Sequence, residues 1–203
     1  MKMIVLKAKC AALFAGLLLA GSAHANLIVN GGFEDNVVAN GNWNWFPAAS
    51  VNGWEGSNVE IWHNLFGIAS AEGQQHAELN ADGGNVGAWS IFQSFATVVG
   101  QSYDVAFSYR ARESSDLFNF AVGSINSNFT NNDTSQWKLF TSSFVASSNL
   151  TTLTFTSLNA GTLGNLIDDV KVNARASVPE SSTLALFAIG LIGLGFVRRK
   201  SKI

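Results

Sequence analysis

The residues best equipped to touch a ligand are aromatic. The chain has six tryptophans, all between Trp43 and Trp137. An indole face stacks on the apolar C–H face of a pyranose, while Asn, Gln and acidic side chains exchange hydrogen bonds with its hydroxyls. Trp43, Trp45 and Trp62 lie in or beside polar, Asn-rich stretches, which makes them the candidates for stacking, with Glu60 as an adjacent polar partner. Trp54, Trp89 and Trp137 sit within apolar alternation and read as core. Trp62, between Ile61 and His63, suits a packed position and a ligand-facing one equally, because buried and interface tryptophans look alike in sequence.

Other chemistries find fewer residues. There is no G-x-S-x-G elbow, and the single cysteine, Cys10, precedes the body of the chain. His63 and His76 are too few for a zinc cluster, and His76 sits in a strand-like run. Glu60, Glu72 and Glu78 could supply the two carboxylates of a glycosidase, but nothing in the sequence sets their separation in space. The expectation is a body without catalysis.

The elements that would carry these residues are short strands. Tyr103, Val105, Phe107 and Tyr109 alternate with polar neighbours, as do Leu153 and Phe155. Further strand-like runs cover 26–29, 58–62, 76–80, 88–98, 117–122, 136–145 and 165–173. Turn residues punctuate them at Asn30-Gly31-Gly32, Asn40-Gly41, Asn52-Gly53, Asp82-Gly83-Gly84 and Gly100. Residues 35–53 read as a long aromatic-bearing loop and 124–135 as a polar loop. About nine short strands predict an all-β, antiparallel β-sandwich. Three Asn-x-Ser/Thr sequons (Asn128, Asn132, Asn149) read as chance matches in an Asn- and Thr-rich sequence.

The two ends read as export signals. Lys2, Lys7 and Lys9, the apolar run 11–20 and Ala23-His24-Ala25 predict a signal peptide over residues 1–25. At the other end, Val178-Pro179-Glu180-Ser181 precedes an apolar run from Leu184 to Val197 and a basic stop, Arg198-Arg199-Lys200. The run predicts a transmembrane helix over 182–197, short for a bilayer core of roughly 30 Å but extendable by snorkelling, with the basic end cytoplasmic. Between the ends lies a domain of residues 26–177 holding five basic and thirteen acidic residues, a formal charge of −8. That balance disfavours nucleic acid and suits a surface domain able to hold a divalent cation.

The tail, residues 178–203, resembles the PEP-CTERM sorting signal of Gram-negative bacteria that make extracellular polysaccharide, with Val178, Pro179 and Glu180 as the motif and Ser181 in place of its second proline. That resemblance implies processing by an exosortase, an inner-membrane-anchored precursor, and release to the cell surface or medium. The body also carries a resemblance: Asn26 to Glu34 is similar to the opening of galactose-binding-like jelly rolls, the fold of many carbohydrate-binding modules, and Leu166 to Val172 is similar to their last strand. It implies a jelly-roll sandwich and a structural Ca2+ ion held by Glu34 and Asp168; the sequence itself offers Asn26, Asp35 and backbone carbonyls near Glu78 as further oxygen donors, and the alternative is that Glu34 and Asp168 cap turns at the sandwich edge. Together these give the expectation of an exported module associated with extracellular polysaccharide; the alternatives are a purely structural surface protein and a glycan hydrolase.

Overall fold

The protein was analysed as a computed structural model that describes residues 25–81, 89–131 and 133–176. The expected signal peptide (save Ala25), the transmembrane helix 182–197, the sorting residues Val178, Pro179 and Glu180 and the turn at Asp82 fall outside the described residues.

Eleven strands form among the described residues, β1 (Asn42–Phe46), β2 (Glu55–Gly56), β3 (Val59–His63), β4 (His76–Glu78), β5 (Ser90–Ala96), β6 (Ser102–Arg110), β7 (Asp116–Val122), β8 (Ile125–Asn131), β9 (Lys138–Val145), β10 (Leu150–Ser157) and β11 (Leu166–Ala174). They make two sheets, ordered β1-β3-β4-β11-β6-β9 and β2-β5-β10-β7-β8. All the strand pairs within them are antiparallel. The body is therefore the antiparallel sandwich that the alternation predicts, of the jelly-roll type that the resemblance implies. Its core is aromatic. Phe107 from the first sheet stands 4.6 Å from Phe120 and 4.9 Å from Phe155 of the second, ring centroid to ring centroid, and burying each such ring contributes roughly 1.5–3 kcal/mol.

Three elements depart from the sequence reading. Strand β1 lies inside the expected loop 35–53, paired along its whole length with β3. Strand β8 lies inside the expected loop 124–135; its Phe129 stacks on Phe118 at 4.8 Å while Asn126 and Asn128 face outward. Residues 26–29 form no strand. The Asn26 side chain replaces ladder bonds there: its Oδ1 accepts from Ile28 N and Val172 N, and its Nδ2 donates to Val170 O.

Register decides which side chains leave the core. Residues directly opposite in an antiparallel pair share a face. Val59, Ile61 and Ala77 face inward and are fully buried. The alternate residues form two rows across the outer face of the six-stranded sheet: Trp45, Glu60, Glu78, Leu166 and Arg110 in one, Trp43, Trp62 and His76 in the other.

Candidate functional site

Those two rows converge under the loop that follows β3. Trp43 and Trp45 on the edge strand are 41% and 39% exposed. Glu60 and Trp62, their register partners, are buried, and the Trp62 Nε1–H donates to Glu60 Oε1 at 2.6 Å. Phe66 caps this pair. It is 77% exposed, yet its ring meets Trp62 edge-on at 5.7 Å. The loop achieves this with left-handed backbone at Asn64 (φ 55) and Phe66 (φ 53), a strained conformation for a bulky residue of the kind that gathers at ligand sites. A recess of about 110 Å³ opens here, lined by Trp43, Glu60, Trp62, Phe66, Arg112 and Thr162, among others. It is far below the roughly 300–1,000 Å³ of a pocket that engulfs a ligand, so anything bound here lies across the aromatic rim.

Beneath the rim is a buried polar cluster. The Arg112 guanidinium carbon sits 4.9 Å from the Trp62 ring centroid, and its Nη1 donates to both carboxylate oxygens of Glu78 at 2.7 and 2.8 Å. Gly164 N adds a third bond to Glu78 Oε1. Burial pushes the Glu78 carboxyl up to about 9; the Arg112 bond opposes this and the charge of Glu60 adds to it. His76 is also buried. Desolvation, then the charge of Arg110, pushes its imidazole down to about 3, so it is neutral at physiological pH. Its ring stands 5.2 Å from Trp137, which is half-buried on this outer face rather than in the core where the sequence put it. Trp54 and Trp89 are buried, as expected.

Next to the rim runs a polar groove of about 540 Å³, lined by Asn40, His63, Asn64, Ser70 and Gln74 with backbone of Ala69 and Gly73. His63 Nδ1 is 2.7 Å from Val38 O and must donate to that carbonyl, which leaves Nε2 outside this bond. Amide groups and an imidazole nitrogen thus face one groove beside an aromatic shelf.

Two carboxylates hold the wall of that groove. Glu34 Oε1 accepts from Gln74 N and Gln75 N at 2.6 and 2.8 Å. Asp168 Oδ2 accepts from Ala71 N and Glu72 N at 2.8 and 2.9 Å. Gly73 (φ 60) permits the first contact, since a Cβ there would fall 2.2 Å from Glu34 Oε1. Asp168 lies at a bulge in β11, next to Asp169 (φ 53), and burial pushes its carboxyl up to about 7 despite three backbone N–H donors. Among the described residues, no three acidic or histidine side chains form a ready metal cage. A Cβ at Gly32 would clash with Glu72 Oε2 at 2.7 Å and stand 3.8 Å from Asp168 Oδ1, so this glycine lets two carboxylates, the oxygen donors a hard cation takes, approach the backbone. Glu34 and Asp168, paired in the sequence reading, both anchor the 71–75 segment through its backbone N–H groups. Asn26 and Asp35 are engaged elsewhere, with backbone and with Asn52 respectively.

The sequence therefore singled out Trp43, Trp45, Glu60 and Trp62, and the structure brings all four onto one face, with Trp62 below the surface. It gave no sign of Phe66 or Arg112 as their companions, and it offered Glu72 as a candidate catalytic carboxylate. Phe66 reaches the rim only through a left-handed turn built without glycine at those positions.

No curated protein matches the chain. Among solved structures, it is similar to the carbohydrate-binding module TmCBM61 in complex with β-1,4-galactotriose (15% identity, 74% of this chain and 99% of that one, TM-score 0.49). It is similar also to a CBM4 (20%, 73% and 99%, 0.44) and to the CBM22-1 xylan-binding domain from Paenibacillus barcinonensis (12%, 78% and 100%, 0.43). Among the described residues no helix is long and apolar enough to cross a membrane. Residues 177–200 match the PEP-CTERM protein-sorting motif, which marks the chain as an exported, membrane-anchored precursor sorted by an exosortase.

Proposed function

We propose that the body is a glycan-binding module which the sorting signal delivers to the extracellular polysaccharide. One observation carries this reading: the half-exposed Trp43 and Trp45 and the exposed Phe66 form an aromatic shelf continuous, through the 64–70 loop, with the amide-lined groove. An aromatic shelf takes the C–H face of a sugar, and the groove satisfies its hydroxyls. Calcium belongs to the same proposal. Bound between Glu72 and Asp168, with Glu34 beside them, it would neutralise the carboxylates that pin the 71–75 segment and so stiffen the groove wall.

A second reading, hydrolysis, has one observation in its favour: Glu60 and Glu78 are register partners, and Glu78 is held up near 9. A carboxyl held protonated beside a second glutamate suits the general acid of a glycosidase. Both oxygens of Glu78 are taken by Arg112 beneath Trp62, however, out of reach of a substrate on the rim. A glycan array with residues 26–177, followed by incubation with each bound polysaccharide, tests both readings. Binding without release of shorter chains supports the module, release of shorter chains supports the hydrolase, and no binding by folded protein supports a purely structural role.

A further inference from the structure

Four large aliphatic side chains stand exposed near one end of the sandwich: Val98 (65%), Val99 (58%), Val145 (54%) and Leu150 (61%). Hydrogen bonds bring their segments together. Thr97 N donates to Asn149 O, Gly100 N to Ala146 O, and Ala146 N to Gln101 O. Val98 and Val99 form the tip of the loop between β5 and β6, while Val145 and Leu150 flank the turn between β9 and β10. The chain leaves the body at this same end: Arg175 N donates to Ser102 O, and Gln101 Nε2 to Arg175 O.

Charge is distributed to match. Residues 97–101, 145–150 and 174–176 contain no Asp or Glu, although the body as a whole carries thirteen. Arg175 is the single ionisable side chain in these segments, and it pairs with Asp104 from the neighbouring strand. Glu34, Glu72 and Asp168, by contrast, meet around Gly32. An end that bears aliphatic side chains and no unpaired acidic group, in a domain otherwise strongly acidic, fits the interfacial region of a bilayer.

The length of chain beyond this end supplies the partner. Seven residues separate Ala176 from Leu184, where the apolar run begins. Fully extended they span at most roughly 26–29 Å. In a precursor anchored through that run, this end of the body can never be far from the lipid surface.

We infer that Val98, Val99, Val145 and Leu150 form a bilayer-docking surface, which seats the body on the membrane that anchors the unprocessed precursor. The inference rests on the membrane-anchored reading of the sorting signal and concerns a different face from the glycan shelf.

The test uses the full chain with Cys10→Ser, reconstituted in phosphatidylethanolamine–phosphatidylglycerol vesicles. A polarity-sensitive fluorophore is attached at Val99→Cys or, as control, at Val37→Cys, a residue 88% exposed in another part of the body. The expected result is blue-shifted emission at position 99, quenched by spin-labelled lipid, with neither effect at position 37. Chain in the vesicles with position 99 as water-exposed as position 37 overturns the inference alone. A blue shift at 99 that spin-labelled lipid does not quench also overturns it, since protein, such as a second copy, then covers the patch. Failure of the full chain to partition into vesicles overturns the anchored reading and this inference with it.

Discussion

The Arg112 guanidinium lies 4.9 Å from the centre of the Trp62 ring while its Nη1 holds both oxygens of Glu78. One cation therefore covers the indole and compensates a buried acid. Arg112→Met should destabilise the fold by about 1–3 kcal/mol, because the buried Glu78 carboxyl loses both hydrogen bonds to Arg112 and the Trp62 ring loses its cover. Urea unfolding measures this, and adding Glu78→Gln should restore part of the loss. An unchanged midpoint for Arg112→Met would contradict the arrangement.

Trp62 belongs to this underlayer, so Trp62→Ala should act first on stability. Truncating a fully buried tryptophan costs about 3–5 kcal/mol. A variant with normal melting temperature and lost glycan binding would instead place Trp62 at the surface.

Stability should depend on pH through the same cluster. Glu78 titrates near 9 in the folded protein against 4.5 as its ordinary value. The folded state binds the extra proton between those limits, so this contribution is complete below pH 4.5 and is lost as the pH rises toward 9. His76 acts in the opposite sense. Its imidazole falls from 6.5 to about 3, so its contribution is whole above pH 6.5 and is lost as the pH falls toward 3. Melting temperatures should therefore decline from pH 6.5 to 9, and Glu78→Gln should flatten that decline. An unaltered slope in the variant would mean that Arg112 keeps Glu78 ionised throughout.

Calcium at the proposed site should raise the melting temperature of metal-stripped protein in a concentration-dependent way, as does any ligand of the folded form alone. Asp168→Ala should abolish the response. Because Asp168 also anchors Ala71 and Glu72, that variant should weaken glycan binding as well. A response to calcium that survives Asp168→Ala would remove this residue from the site.

How much of this was legible in the sequence follows from where the information resides. Strands β6, β7 and β10 bury alternate residues and announce themselves by alternation. Strand β8 does not, because its asparagines are poor strand formers; it is held partly by side chains, with Asn119 Nδ2 donating to Asn126 Oδ1 and Asn128 Oδ1. Strand β1 was hidden for the same reason, its tryptophans alternating with asparagines in a stretch that reads as loop. The tryptophans of the site were visible as residue types beside polar neighbours. Arg112 and Phe66 were not, because loops bring them in and no period in the sequence reports where a loop folds back.

The sorting signal makes a prediction of its own. Replacing Pro179 and Glu180 with alanine should leave unprocessed precursor in the inner membrane, as fractionation and blotting would show. Normal processing and release of that variant would remove the motif from the sorting step.

The aromatic shelf is the centre of the account, and one comparison tests it most directly. The wild-type body and the Trp43→Ala/Phe66→Ala variant are titrated with a polysaccharide that the array identifies, after their melting temperatures are shown to agree. Each lost aromatic stack should weaken binding by about 1–3 kcal/mol, so the double variant should bind at least tenfold more weakly with its fold intact. Equal affinity in the two proteins would contradict the assignment of the shelf as the glycan site.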